Sequence, residues 1–363
     1  KKFGVIICAR NEESVIGATL ETIYKQNYPR EFYDVFVVAD NCTDKTAEIA
    51  RQKGAIVFER FDDDPSHRRV SYALKYGFEN ILENYDNYDA FVRFDADNFP
   101  HPDYLKKMND AFCAGVKLAR GYNNSKNLTQ NVISSISGLW YIRDSRFNAQ
   151  TRSALRLGQL MSGPGMTISA DIIRKNGGWI DMGFCEDADF SLRELNAGTK
   201  AEYVKDAIVY EDQPVSLKDT FRRNMRMGRG LNTTFRKHGV RSLGKFFTTF
   251  KFTYLDMFIT ELFVPLACVA CLWFPAYYIY DFVYKMFTDY AAAMLVLDML
   301  WKILVFAYAI PFIAQALLVC ILDAKKIKAP FYKLIPGILL FPLFMIFYAV
   351  GITLGVLFKP KWK

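Results

Sequence analysis

Short apolar runs that end at polar turn residues characterise the first half of the chain. The runs Phe3–Cys8 and Val35–Ala39 have the length of buried strands, and each is followed by a polar loop. Helical periodicity lies between them, from Ser14 to Tyr24. Strands that alternate with helices in this way predict a parallel sheet covered by helices, so we predict an α/β fold for this part. Ligands of such sheets bind beyond the carboxyl ends of the strands.

A third apolar run leads directly into Asp95 and Asp97, which are one residue apart. Alternation along a strand would point both carboxylates the same way. Two anionic oxygen ligands suit Mg²⁺ or Mn²⁺, with substrate phosphate oxygens completing the coordination shell. The alternative is an acidic turn that caps the next helix. Because Asn11, Asp40 and Asp95 all fall at predicted carboxyl ends of strands, we favour the ligand site.

Long apolar runs begin after about residue 250, whereas most charged residues lie before it. Three stretches, at about 262–284, 291–322 and 334–358, are long enough to cross ~30 Å of hydrocarbon. Hydrophobic residues make up 52 % of the whole chain. We therefore predict a soluble domain over residues 1–214 and an all-helical transmembrane domain over residues 256–363.

The segment between these domains, residues 215–255, is predicted to form basic amphipathic helices at the membrane interface. It contains much of the positive charge of a chain whose net charge is +8. Arg222, Arg226 and Arg229 recur on one face of a predicted helix. Such a face can bind a diphosphate or lie on a membrane surface, and the spacing alone leaves both open. No nucleic-acid recognition module accompanies the charge, so we expect no nucleic-acid partner.

The distribution of lysine and arginine predicts the orientation of the spans. The basic segment before the first span is typical of a cytoplasmic face, which predicts a multi-pass plasma-membrane protein with a cytoplasmic soluble domain. Three spans would place Lys359, Lys361 and Lys363 on the opposite side, so the number of spans stays open. The seven cysteines are scattered, as in proteins of a reducing cytosol.

Six short polar motifs follow one another in the first 230 residues. These are Ala9–Glu13, Val38–Asp44, Asp95–Asn98, Glu186–Asp187, Glu211–Pro214 and Arg223–Met227. In their order and spacing they resemble the processive-synthase branch of glycosyltransferase family 2, which includes cellulose, hyaluronan and poly-N-acetylglucosamine synthases. The family implies a GT-A fold, a Rossmann-like nucleotide-sugar-binding domain, and an inverting transfer that uses a UDP-sugar and Mg²⁺ or Mn²⁺.

The resemblance also implies a role for each matching residue. Asp95 would line the donor sugar nucleotide, and Asp97 would hold the metal on its diphosphate. Asp187, beside Glu186, would be the general base that takes the proton of the acceptor hydroxyl. The residues that would contact the nucleotide are Ala9, Arg10, Asn11, Glu12, Asp40, Arg223 and Arg226. In-line displacement at an anomeric carbon needs such a base and charge neutralisation on the departing diphosphate.

One family motif, Gln-x-x-Arg-Trp, is altered in this chain. Arg223 replaces its Gln and Met227 replaces its Trp. A Trp ring would offer a stacking face to an acceptor sugar, and Met is a poorer platform. The change therefore bears on the acceptor and leaves the donor motifs intact.

We therefore predict a membrane-bound, inverting, metal-dependent hexosyltransferase that elongates and secretes a polysaccharide from a UDP-sugar. The alternative is a glycolipid synthase that adds one sugar to a membrane lipid. A catalytically silent nucleotide-sugar sensor is the third possibility. The expected partners are a UDP-sugar donor, a glycan or lipid acceptor and membrane lipids, and a homo-oligomer or an accessory secretion subunit is left open.

Overall fold

A computed structural model of the chain describes residues 1–259 and 264–358. The first two residues of the first predicted span and the lysines at 359, 361 and 363 lie outside these residues. The chain divides into two compact units. The first unit comprises Lys1–Lys126, Ser145–Asp212 and Lys237–Met257, and the second comprises Asn127–Asp144, Gln213–Arg236 and the described part of Phe258–Lys363. The boundaries predicted at residues 214 and 255 stay predictions.

The strands of the described residues form one eight-stranded mixed sheet in the order β3-β2-β1-β4-β7-β6-β8-β5. The strands are β1 Phe3–Ala9, β2 Tyr33–Asp40, β3 Ile56–Arg60, β4 Ala90–Asp95, β5 Phe99–Pro100, β6 Leu118–Ser125, β7 Met166–Ser169 and β8 Glu202–Glu211. The first four strands in this order run parallel, whereas β7 pairs antiparallel with both β4 and β6. The sheet lies entirely within the first unit.

Fifteen α-helices are present among the described residues. In chain order they are α1 Ile16–Tyr24, α2 Thr46–Gln52, α3 Val70–Asn84, α4 Tyr104–Cys113, α5 Val132–Arg143, α6 Gln150–Ala154, α7 Ala170–Asn176, α8 Glu186–Asn196, α9 Leu217–Thr249, α10 Phe252–Met257, α11 Val264–Thr288, α12 Tyr290–Lys302, α13 Ile310–Leu322, α14 Ala324–Ile327 and α15 Phe331–Leu357. Helices α5 and α11–α15 belong to the second unit, and α9 contributes residues to both units.

The apolar runs of β1 and β2 are buried on both faces of the sheet. In β1, Val5 and Ile7 belong to one hydrophobic cluster, whereas Ile6 belongs to a second cluster on the other face. Parallel strands covered by helices on both sides carry continuous apolar sequences for this reason. The predicted α/β fold is confirmed, but the sheet is parallel only across β1–β4 and is mixed beyond them, because β7 pairs antiparallel with both of its neighbours. The parallel part places the carboxyl ends of β1, β2 and β4 side by side at one edge.

In the second unit, the first half of α9 packs against α15 at very short range. A Cβ atom on Gly228 would lie 2.1 Å from the carbonyl oxygen of Ile352, and one on Gly355 would lie 2.1 Å from the carbonyl oxygen of Met225. Small residues let two helix backbones approach this closely, an arrangement common among membrane helices.

Two helical stretches among the described residues are long and apolar enough to cross a membrane. They are Tyr290–Leu322, which joins α12 and α13 through a π-helical turn, and Phe331–Leu357. Helix α11, at the position of the first predicted span, is 25 residues long. Length and composition make the two stretches candidate spans.

Candidate active site

The loop after β4 fixes the two aspartates that the sequence singled out. Asn98 is buried, and its Oδ1 accepts a hydrogen bond from the Asp95 amide at 2.9 Å while its Nδ2 donates to Asp97 Oδ1 at 2.9 Å. The Thr19 hydroxyl on α1 donates to the Ala96 carbonyl at 2.6 Å. The loop is thereby tied to both its own strand and a covering helix, so the two carboxylates have a defined position.

A buried arginine joins this loop to helix α8. Arg93, on β4, donates from Nη2 to Asp95 Oδ1 at 3.1 Å and from Nη1 to Glu186 Oε1 at 2.9 Å. Burial opposes the charge of the guanidinium, but Asp95, Glu186 and Asp187 outweigh it and raise the pKa of Arg93. Burial also raises the pKa of Glu186, and Arg93 opposes that shift. Glu186 is therefore a partner of Arg93 and is poorly placed to act as a base.

Asp187 has a different environment from Glu186. Its side chain is half-buried, and its Oδ2 accepts a hydrogen bond from the Gly163 amide at 2.9 Å, while Oδ1 accepts one from the Ala188 amide at 2.8 Å. Two amide donors orient a carboxylate while leaving it lone pairs for a further proton. This geometry suits a general base.

The Asp95 and Asp97 carboxylates fit a divalent cation. Burial, together with the negative charge of Asp95, raises the pKa of Asp97 to about 6, and Lys126 opposes the shift. Burial and the charge of Asp97 likewise raise the pKa of Glu12. An excess of negative charge on hard oxygen ligands is what Mg²⁺ or Mn²⁺ would neutralise. Among the described residues, no group of three or more His, Cys, Asp or Glu side chains is placed to hold a metal.

The loops after β1 and β2 interlock beside this acidic site. The Asn11 side chain accepts a hydrogen bond from the Thr43 amide at 2.8 Å, and the Glu12 amide donates to the Thr46 hydroxyl at 2.8 Å. Asn11 has a positive φ of 55°, which Asn tolerates better than most residues. Arg10 is exposed at the rim of these loops.

Asp40, at the end of β2, is buried and forms an ion pair with Arg60. Arg60 also pairs with Asp62, so the end of β2 is held by a charged network. The carboxylate of Asp40 is thereby fixed at the sheet edge where the sequence predicted it.

The structure brings most of the predicted site residues to one edge of the sheet in the first unit. They are Ala9, Arg10, Asn11, Glu12, Asp40, Asp95, Asp97, Glu186 and Asp187. Arg223 and Arg226 belong to the second unit, where Arg226 is exposed, Arg223 donates to Gln213 Oε1 at 2.9 Å and the Arg223 guanidinium lies 5.2 Å from the centre of the Tyr141 ring. Their nucleotide-binding role stays a prediction.

Sequence reasoning missed Arg93 and Asn98 as functional residues. The available signal was a single charge inside the otherwise apolar run 91–94 and an amide directly after Asp97. An arginine in a fully buried strand needs a charged partner, and this requirement could have identified Arg93 as part of the site.

The sheet order and the carboxylates at its edge define a glycosyltransferase of the GT-A type. Residues 1–230 match the family described as "Glycosyltransferase like family 2". The chain therefore belongs to this family, and the predicted family and fold are confirmed.

Several curated proteins are similar to this chain over part of its length. A "probable glycosyltransferase YdaM" of Bacillus subtilis is 29 % identical over 245 residues, covering 63 % of this chain and 55 % of the relative. A beta-monoglucosyldiacylglycerol synthase of Nostoc is 26 % identical over 199 residues, covering 52 % and 40 %. The chain thus spans about half the length of these two relatives.

Two matches extend over more of the chain. The dolichyl N-acetyl-alpha-D-glucosaminyl phosphate 3-beta-D-2,3-diacetamido-2,3-dideoxy-beta-D-glucuronosyltransferase of Methanococcus voltae is 23 % identical over 286 residues, covering 74 % of this chain and 84 % of the relative. The solved mannosyltransferase PcManGT of Pyrobaculum calidifontis, in complex with GDP-Man and Mn²⁺, covers 99 % of this chain and 88 % of its own, with a TM-score of 0.55 and 15 % identity. The structural likeness establishes the fold.

Proposed function

We propose that this chain is a membrane-bound, inverting, metal-dependent glycosyltransferase that moves a single sugar from a UDP-sugar to a membrane lipid. The observation that carries the proposal is the arrangement of Asp95 and Asp187 around Arg93 at the edge of the sheet, with Asp97 beside Asp95. It combines an acidic donor side with an oriented base, as sugar transfer requires.

The chemistry follows from the position of these side chains. Asp187 takes the proton of the acceptor hydroxyl while the hydroxyl oxygen attacks the anomeric carbon of the donor. The bond between that carbon and the diphosphate oxygen breaks, its electron pair leaves with UDP, and an α-linked donor gives a β-linked product. A divalent cation held by Asp95 and Asp97 would neutralise charge on the diphosphate when bound.

The names of two relatives support a lipid acceptor. The name of one relative includes diacylglycerol, and the name of the other includes dolichyl N-acetyl-alpha-D-glucosaminyl phosphate. Within this chain, Met227 replaces the aromatic residue of the family motif, and Arg223 is engaged by Gln213 and Tyr141. Without an aromatic platform at position 227, a growing glycan chain has one stacking contact fewer. The remaining motif resemblance keeps polysaccharide elongation as the second candidate.

Attachment to a membrane is supported by the C-terminal helices and by the end of α9. Tyr290–Leu322 and Phe331–Leu357 are the candidate spans, and α11 would add a third. Phe247 and Phe250 are 62 % and 80 % exposed on a segment rich in lysine and arginine. Exposed aromatic residues beside basic ones are typical of surfaces that enter a headgroup layer.

Product analysis separates the candidate functions. The purified full chain would be incubated in mixed vesicles that contain diacylglycerol with Mn²⁺ and a panel of radiolabelled UDP- and GDP-sugars. The proposal expects UDP release and label in the organic phase, in a product that carries one sugar. Water-soluble label of high molecular weight would favour the polysaccharide synthase, and nucleotide binding without release of UDP would favour the sensor.

A further inference from the structure

We infer that Arg93 is a positioning residue that sets the spacing between Asp95 on the donor side and the Glu186–Asp187 pair on α8. This inference rests on the proposed function. Arg93 would contact neither sugar nor nucleotide, and its effect on transfer would pass through the acids that it holds.

One guanidinium bridges two elements that are distant in sequence. Nη2 donates to Asp95 Oδ1 at 3.1 Å on the same strand, and Nη1 donates to Glu186 Oε1 at 2.9 Å on the first turn of α8. The planar fork of arginine holds two carboxylates at a fixed angle, whereas a lysine ammonium acts as a point charge on a flexible stem. The two bonds therefore fix α8 relative to β4.

The loop that orients Asp187 also covers Arg93. A Cβ atom on Gly163 would lie 3.1 Å from Arg93 Nη1, so this position accepts no larger residue without displacing the guanidinium. The Gly165 amide donates to the Arg93 carbonyl at 2.9 Å, and the Gly163 amide donates to Asp187 Oδ2 at 2.9 Å. Arg93 is only 6 % exposed. It thereby contacts all three parts of the site: the donor-side acid, the α8 acids and the loop.

Removal of the guanidinium would leave Asp95 and Glu186 without the positive charge that both face. Like charges at short range repel, so the two elements would relax apart. In-line transfer depends on the relative position of base and leaving group, and a displacement of ~1 Å costs about 100-fold in rate. The loss should therefore fall on kcat rather than on nucleotide binding.

The test compares Arg93→Lys and Arg93→Ala with a matched control, Arg152→Ala. Arg152 is 5 % exposed in the same unit, and its Nη1 lies 2.7 Å from Asp256 Oδ2, so it is an equally buried arginine paired with a carboxylate outside the site. Calorimetry would give the number of UDP molecules bound per chain with Mn²⁺, and steady-state kinetics would give kcat per UDP site and the donor KM.

We expect kcat per UDP site to fall about 100-fold in both Arg93 variants, with the donor KM and the binding stoichiometry close to those of the wild type. A merely structural role would lower the stoichiometry and leave kcat per site unchanged. Guanidinium ion, added well below denaturing concentrations, should raise kcat per UDP site of Arg93→Ala by at least about tenfold. It should leave kcat per UDP site of Arg152→Ala unchanged. If Arg93→Ala does not fold, kcat per UDP site of Arg93→Lys tests the prediction.

The outcomes separate the two proposals. If the wild type is active and the Arg93 variants have the same kcat per UDP site, the positioning role is overturned and the proposed function stands. An inactive wild type that binds UDP but releases none from any donor would overturn the proposed function, and the role of Arg93 would fall with it.

Discussion

Asp187 and Glu186 are neighbours in sequence with different chemistry, and the difference comes from their partners. The Glu186 carboxylate is buried against Arg93, whereas Asp187 is half-buried and receives two backbone amides. Of these two acids, only Asp187 is both partly exposed to solvent and held in a fixed orientation. We therefore propose Asp187 as the general base, with Glu186 as the partner of Arg93.

Asp187→Asn should reduce kcat by about 10²–10⁴-fold, because the amide keeps the shape of the side chain but takes up no proton. Binding of UDP with Mn²⁺ should change little, since Asp187 lies on the acceptor side in this account. Isothermal titration and steady-state kinetics on the same preparation measure both. Asp171→Asn, at an exposed position of α7, is the control. Loss of UDP binding in Asp187→Asn would count against the base assignment.

Asp97→Asn should weaken the Mn²⁺-dependent binding of UDP by at least about tenfold, since one anionic ligand is lost. The fold should tolerate the change because Asn98 can still donate to the side-chain oxygen at position 97. A Mn²⁺ titration at fixed UDP concentration measures the effect. Equal affinities of variant and wild type across the titration would remove Asp97 from the metal site.

At the residue scale, motifs predicted the acids but not what holds them. Asp95 and Asp97 were identified because two acids after an apolar strand form a local pattern. Arg93 was not, because its partner Glu186 is 93 residues away along the chain and no local rule joins them. Contacts of that kind arise only once the sheet and α8 are in place.

At the scale of elements, a cluster of charges around the buried Asp181 and Asp189 joins the last part of α9 to α8 within the first unit. Lys237 Nζ lies 3.3 Å from Asp189 Oδ2, and His238 Nε2 lies 3.8 Å from Asp189 Oδ1. Asp181 and Arg193 complete the cluster through an ion pair of 2.9 Å. Because α8 begins with Glu186 and Asp187, this cluster supports the helix that carries the proposed general base, Asp187.

This cluster predicts a pH dependence of stability. Burial lowers the pKa of His238, and although Asp181 and Asp189 face the ring, Lys237 and Arg193 oppose their effect. In the unfolded chain the imidazole titrates near pH ~6.5, so just below that pH the unfolded state binds more protons than the folded state. The free energy of unfolding should therefore fall as the pH is lowered through about 6.5.

Comparison with His238→Gln isolates the contribution of His238 to the free energy of unfolding, because the other titratable groups are the same in both proteins. Denaturant unfolding monitored by circular dichroism at pH values on either side of about 6.5 would measure it. The wild type should lose more stability than the variant on acidification. Parallel pH profiles for the two proteins would show that His238 enters the folded state with its ordinary pKa.

The elements themselves could be predicted where their sequence is periodic. The apolar runs 3–8 and 35–39 became β1 and β2, and the periodicity of residues 14–24 became α1, which begins at Ile16. The basic segment 215–255 became α9 and α10. Strand β7 was not predicted, because four residues carry little periodicity and its place between β4 and β6 depends on long-range pairing.

At the scale of the whole molecule, the sequence determined the class of enzyme better than its acceptor. Donor motifs are short, local and attached to strand ends, so they identify the family over residues 1–230. Candidate spans can be identified from length and hydropathy alone, and both are read directly from the sequence. Acceptor choice depends on side chains brought together from remote segments, and no local pattern encodes it.

A single in-line displacement on a nucleotide sugar, with Asp187 as the base, would invert the anomeric carbon. The proton NMR spectrum of freshly formed product, made by the purified full chain from an α-linked UDP-sugar with Mn²⁺ in lipid vesicles, tests this. We expect a β-linked sugar on the acceptor, identified by the coupling constant of its anomeric proton, and little product with Asp187→Asn. An α-linked product would rule out the single displacement.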